Sequence, residues 1–151
     1  SQVQFVQRDR DRMKLNEEKY KITATSIEHA VSTSDVLLLC VRPGQVGPVL
    51  QEMARFGASS KQIISILSGI PISFFQKVLG EKAQIVRLMP NVASSIGEGM
   101  TTLSFSPHAT VEFRSFVHLF SAPLGKYLEI PESQMDLATA VAGSGPGFVF
   151  A

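Results

Sequence analysis

Ile85 to Thr101 reads Ile-Val-Arg-Leu-Met-Pro-Asn-Val-Ala-Ser-Ser-Ile-Gly-Glu-Gly-Met-Thr, an apolar run that stops at a proline and gives way to a small, polar, glycine-containing segment. Leu88 ends a buried-strand pattern, Pro90 cannot donate to a sheet ladder, and Asn91 stands where an open α/β sheet delivers a strand's carboxyl end. Ligands of such sheets bind at those ends. Upstream, Val36 to Val41 and Gln62 to Leu67 are further apolar runs without strict alternation, each leading into a turn, Arg42-Pro43-Gly44 and Ser68-Gly69-Ile70-Pro71. After the turns the apolar positions change to helical spacing: Val46, Val49, Leu50 and Met53, then Phe74, Phe75, Val78 and Leu79 up to Gly80. Repeated strand, turn and helix predicts an α/β chain whose strands are covered by helices on both faces.

Composition narrows the class. The 151 residues are 44% hydrophobic and 18% charged with a formal net charge of +1, as in an ordinary globular domain. No basic stripe marks a nucleic-acid partner, and no apolar run approaches the ~20 residues that span a bilayer. The N-terminal Ser1-Gln2-Val3-Gln4 is not expected to belong to a signal peptide. The single cysteine, Cys40, lies inside an apolar run and is expected to be a small core residue in a reducing compartment. A cytoplasmic location is the default expectation, with neither nucleic acid nor membrane as partner.

The remaining elements follow in order. Val3 to Val6 is a short strand, the charged run Gln7 to Arg12 leads into a helix ending near Tyr20, and Ile22 to Ala24 is a second strand. Ser26 caps a helix to Val31. Val36 to Val41 is expected to be a central parallel strand, buried on both faces. Met100 to Phe105 and Lys126 to Ile130 are further strands, and Ser106-Pro107 is read as a helix cap with proline at the first helical position. Phe113, Phe116, Val117 and Phe120 form a core stripe. His29, His108 and His118 have no metal-ligand spacing, so no metal is expected. Pro131-Glu132 opens a helix through Met135, Leu137, Ala138 and Val141 that breaks at Gly143-Ser144-Gly145.

The charged run has two readings. Its alternating arginines and aspartates can neutralise each other in a solvated turn. Alternatively it borders a cofactor ribose at the end of the second strand of a dinucleotide fold, where an acidic residue favours a free 2'-hydroxyl and arginine accepts a 2'-phosphate.

Four segments in order, Val36 to Pro43, Ile63 to Pro71, Met89-Pro90-Asn91 with Gly97-Glu98-Gly99, and Gly143 to Phe148, closely resemble the pyrroline-5-carboxylate reductase family. The resemblance implies a Rossmann-like, doubly wound cofactor domain over residues 1–130 and the start of a helical dimerisation and substrate domain over 131–151. It implies reduction of 1-pyrroline-5-carboxylate to proline by hydride from NADPH, with NAD the lesser expectation. Arg8, with Arg10 second, would meet the 2'-phosphate. Val41, Arg42 and Pro43 would border pyrophosphate and nicotinamide ribose, Ser68 and Gly69 would lie against nicotinamide, and Asn91 would touch nicotinamide or substrate. Ser144 and Gly145 would face the substrate, and the whole protein would be a homodimer or larger. No catalytic acid is assigned; Glu98, between two glycines, reads equally as a turn residue.

Two departures open other expectations. No Gly-x-Gly-x-x-Gly loop occurs, so the first strand is expected upstream of Ser1 and the chain is expected to be a fragment or truncated relative, inactive alone. Gly147 and Phe148 replace the family's usual alanine and tyrosine. An inactive, regulatory relative, or another NADP-dependent dehydrogenase or imine reductase, are the alternatives.

Overall fold

The computed structural model describes residues 3–143. Ser144, Gly145, Gly147 and Phe148 lie outside the described residues.

Two sheets carry the chain. β1 (Gln4–Phe5) and β2 (Thr23–Ala24) form a parallel two-stranded sheet. β3 (Val36–Leu39), β4 (Gln62–Ser65), β5 (Gln84–Met89), β6 (Gly99–Phe105) and β7 (Gly125–Glu129) form a five-stranded sheet in that order. All its pairings are parallel except β5 with β6. The architecture is Rossmann-like.

Each helix forms for a local reason. α1 (Arg10–Tyr20) is capped by Asp9, whose carboxylate accepts from the N–H groups of Asp11 and Arg12, and closed by Lys21 in the left-handed region. α2 (Ile27–Thr33) starts at Ser26, whose hydroxyl accepts from the His29 N–H. α3 (Val46–Arg55) and α4 (Ile72–Leu79) pack one face of the sheet, where Leu50, Met53, Ile63, Phe75, Leu79 and Ile85 are buried together. α5 (Val111–Ser121) covers the other face through Phe113 and Val117 against Ile64, Val86, Leu88 and Leu103. A 3-10 turn at Glu132–Gln134 then leads into α6 (Met135–Ala138), which continues as a π-helical turn to Gly143.

Several expectations change. β3 is neither central nor covered on both sides: among the described residues it is the edge strand of its sheet, and Leu38 is 46% exposed. Cys40 is exposed beyond the end of β3 rather than being a core residue. Ser106 is not a helix cap. Its buried hydroxyl accepts from the Ile85 N–H and donates to the Ala83 carbonyl, both at 3.0 Å, and the following helix begins only after Thr110. The α5 stripe divides, with Phe113 and Val117 buried while Phe116 and Phe120 stack on each other at 42% and 40% exposure. A helix of this length turns only ~100° of apolar surface toward a sheet, and the aromatic residues at its margin stay outside.

Candidate functional site

The turns singled out by the sequence all leave the carboxyl ends of parallel strands. β1 runs into Gln7-Arg8, β3 into Val41-Arg42-Pro43, β4 into Ser68-Gly69 and β5 into Pro90-Asn91. Parallel strands put those ends on one edge of their sheet, which is where doubly wound folds take ligands.

Around Arg8 the two readings of the charged run separate. Asp9 is occupied: it caps α1 and lies 3.7 Å from the Arg12 guanidinium. The acidic residue that could have bound a ribose diol is therefore spent on the helix. Arg8 and Arg10 are exposed and make no ion pair among the described residues, leaving both guanidinium forks open to an anion. At β3, Arg42 and Pro43 are exposed, Val41 is half-buried, and Pro43 starts a 3-10 turn that feeds α3. Partial desolvation pushes the nearby Cys40 thiol up, and a thiol held neutral at pH 7 is a poor nucleophile.

Ser68 and Gly69 are exposed. Gly69 has φ +72°, and a Cβ built there would meet nothing within 4 Å. Its positive φ favours glycine, and the position a Cβ would take is open. Asn91 is half-buried, and its Oδ1 accepts from the Met100 N–H at 3.2 Å. That bond fixes the amide orientation and leaves the NH2 group as the available donor.

The Gly-Glu-Gly motif has a packing cause. Gly97 takes φ +77°, and Gly99 pairs with Gly125 so closely that a Cβ on Gly99 would strike Ser94 and the Leu124 carbonyl. A Cβ on Gly125 would strike the Gly99 backbone. Glu98 is exposed and is a turn residue in this arrangement.

A cavity of about 720 Å³ is lined by Ile72, Ser104, Phe105, Glu129 and Glu132 among others, and Arg8, Arg42, Ser68, Gly69 and Asn91 do not border it. The residues singled out in the sequence lie at the strand exits instead. His118 stacks on Tyr127 and stands 3.8 Å from Glu129, a surface arrangement on α5 and β7. Among the described residues no cluster of acidic, histidine or cysteine side chains could hold a metal.

Sequence reasoning missed Arg87 and Glu132. Arg87 is 4% exposed in the middle of β5 and pairs with Glu132 at 3.2 Å. The signal was there: a charged residue inside a strand buried on both faces requires a partner.

A family profile described as "NADP oxidoreductase coenzyme F420-dependent" matches residues 1–69. A pyrroline-5-carboxylate reductase of Schizosaccharomyces pombe is 37% identical over 150 residues, covering 97% of this chain and 53% of that protein. The chain belongs to the pyrroline-5-carboxylate reductase family. Among solved structures, the pyrroline-5-carboxylate reductase of Coxiella burnetii superposes with a TM-score of 0.90 at 26% identity, over 98% of this chain and 56% of that one. The Plasmodium falciparum pyrroline carboxylate reductase with NADP bound gives 0.84 at 26% identity, over 97% and 53%. The chain thus spans about half the length of the relatives it matches.

Proposed function

We propose that this chain is the cofactor-binding part of an NADPH-dependent reductase that converts 1-pyrroline-5-carboxylate to proline. The observation that carries the reading is the division of labour at the end of β1, where Asp9 is consumed as a cap while Arg8 and Arg10 are exposed and without an ion pair among the described residues. A 2'-phosphate suits that charge pattern and a bare 2'-hydroxyl does not. Family membership supports the imine substrate, and NADP bound to the Plasmodium falciparum relative supports the cofactor.

When bound, the nicotinamide supplies hydride for the imine carbon. This chain's residues bind and orient. Arg8 and Arg10 hold the phosphate, the turns at Val41 to Pro43 border the pyrophosphate and ribose, Gly69 lets a ring approach the backbone, and the Asn91 NH2 donates toward nicotinamide or substrate. Ser144 and Gly145 are proposed to face the substrate from the following segment.

The proposal extends to domain organisation. Residues 1–130 serve as the cofactor domain and 131–151 open a helical domain for substrate and dimerisation, within a homodimer or larger assembly in the cytosol. Exposed Leu137 and Val141 on the opening helical segment support a covering partner there. The break between β1–β2 and β3 is the place that strand order 3-2-1-4-5-6 reserves for strand 1, and a strand with a glycine loop is proposed to fill it.

Isothermal titration of NADPH and NADH into the full-length protein containing this chain tests the reading. NADPH is expected to bind more tightly, and Arg8→Ala is expected to remove most of that preference, about tenfold for a lost charged contact of ~1.5 kcal/mol. Tighter binding of NADH, or binding of neither, overturns it.

A further inference from the structure

We infer that Arg87 is a positioning residue, holding Glu132 as the N-terminal cap of α4 and so setting the Ser68 to Pro71 turn. The inference rests on the reading of that turn as the nicotinamide side of the site.

The start of α4 lacks a local cap. Pro71 occupies the N-cap position, has no side-chain acceptor, and is followed directly by Ile72, whose N–H would be an orphan. Glu132, sixty residues away, supplies the missing acceptor: its Oε1 takes the Ile72 N–H at 2.6 Å. The same oxygen accepts from Arg87 Nη1 at 3.2 Å. One carboxylate oxygen therefore joins a strand, a helix start and the segment that opens α6.

Arg87 is placed to use that junction. It lies beside Ser65 of β4 and Ser104 of β6, and two residues before Met89-Pro90-Asn91 on the same strand. Moving the cap thus moves the Gly69 turn relative to Asn91.

The guanidinium is not arranged for maximal stability. Among the described residues its Nε has no hydrogen-bond partner, and Nη2 reaches only to within 3.6 Å of Asp136, a largely exposed carboxylate. A buried pair with unpaired donors adds little stability compared with apolar packing, yet it fixes geometry, because removing one partner strands the other charge. The carboxylate also sits favourably at the positive end of α4. Charge and position agree on one arrangement of the turn.

The test uses the full-length protein and two independent readouts. Amide hydrogen exchange over residues 68–76 reports the cap whether or not the protein turns over pyrroline-5-carboxylate. Glu132→Ala and Arg87→Met are both expected to speed exchange at Ile72 while exchange in β4 and β5 stays as in the wild type. Glu132→Gln keeps an oxygen acceptor, so it is expected to remain folded and to show a smaller increase, which decides the matter if the harsher variants do not fold. Binding of NADPH is compared with 2'-phospho-ADP-ribose, which lacks nicotinamide. Both harsher variants are expected to bind the fragment as wild type does and to lower kcat on the order of tenfold or more, as a misplaced reacting pair would. A general structural defect would weaken both ligands alike. Unchanged exchange at Ile72 in Glu132→Gln and in every folded harsher variant, or equal losses for NADPH and the fragment, overturns the inference. Absence of turnover in the wild type overturns only the functional reading, and the exchange result still decides the cap.

Discussion

The N-terminal unit and the five-stranded sheet were built by the same local rules and ended up with very different interiors. α1 has a good cap at each end and not one buried residue, and Leu15 and Tyr20 stand exposed on it. β1 and β2 are two residues each, tied in by the Gln4 side chain to Thr33 and Ser34 and by the Glu17 carboxylate to the Ala24 N–H. Across the break, Phe75, Phe113, Ile63, Ile85 and Leu103 are wholly buried. Capping and propensity are enough to define a helix, but they supply little of the stability, which comes from apolar area removed from water. The N-terminal unit has the first and lacks the second among the described residues.

Substitutions can break that contrast, and they rank accordingly. Phe75→Ala removes a fully buried ring between α4 and the sheet, and is expected to cost about 3–5 kcal/mol of unfolding free energy, read by denaturant titration. A loss below ~1 kcal/mol would mean that the five-stranded core is loose. Ser106→Ala strands the buried Ile85 N–H and Ala83 carbonyl, and about 1–3 kcal/mol is expected. Asp9→Ala removes the α1 cap and is expected to cost about 1 kcal/mol of local helix stability, read by amide exchange over residues 10–20. Leu15→Ala is expected to change global stability by less than ~0.5 kcal/mol, unless a further segment packs on α1, in which case the full-length protein shows a larger loss.

Much of the site was legible because strand exits are written locally. An apolar run followed by proline or glycine marks them, and the structure puts Arg42, Ser68, Gly69 and Asn91 at those exits. Asn91 is the clearest of these exits as a contact: its Oδ1 is spent on the Met100 N–H of β6, which leaves the NH2 as the group that can reach a ligand. The error at Ser106 has a related cause. Ser-Pro is a common helix opening, but this hydroxyl was needed by two backbone groups of the neighbouring strand's start, a demand invisible in the local pattern. Cys40 and Leu38 failed for a different reason, since an apolar run states that a strand can be covered and not that a helix is present to cover it.

Periodicity, caps and breakers act over a few residues, so the order of strands, turns and helices and the turns at carboxyl ends could be read from the chain alone, while the family rested on the resemblance of four motifs. Three-dimensional packing was needed to show that β6 runs antiparallel to β5, that Gly99 and Gly125 touch, and that Glu132 caps a helix sixty residues away while pairing with Arg87. Those are contacts between distant segments, and their partners are chosen by burial and packing in three dimensions, where a charge in a strand says only that it needs a partner and not which one.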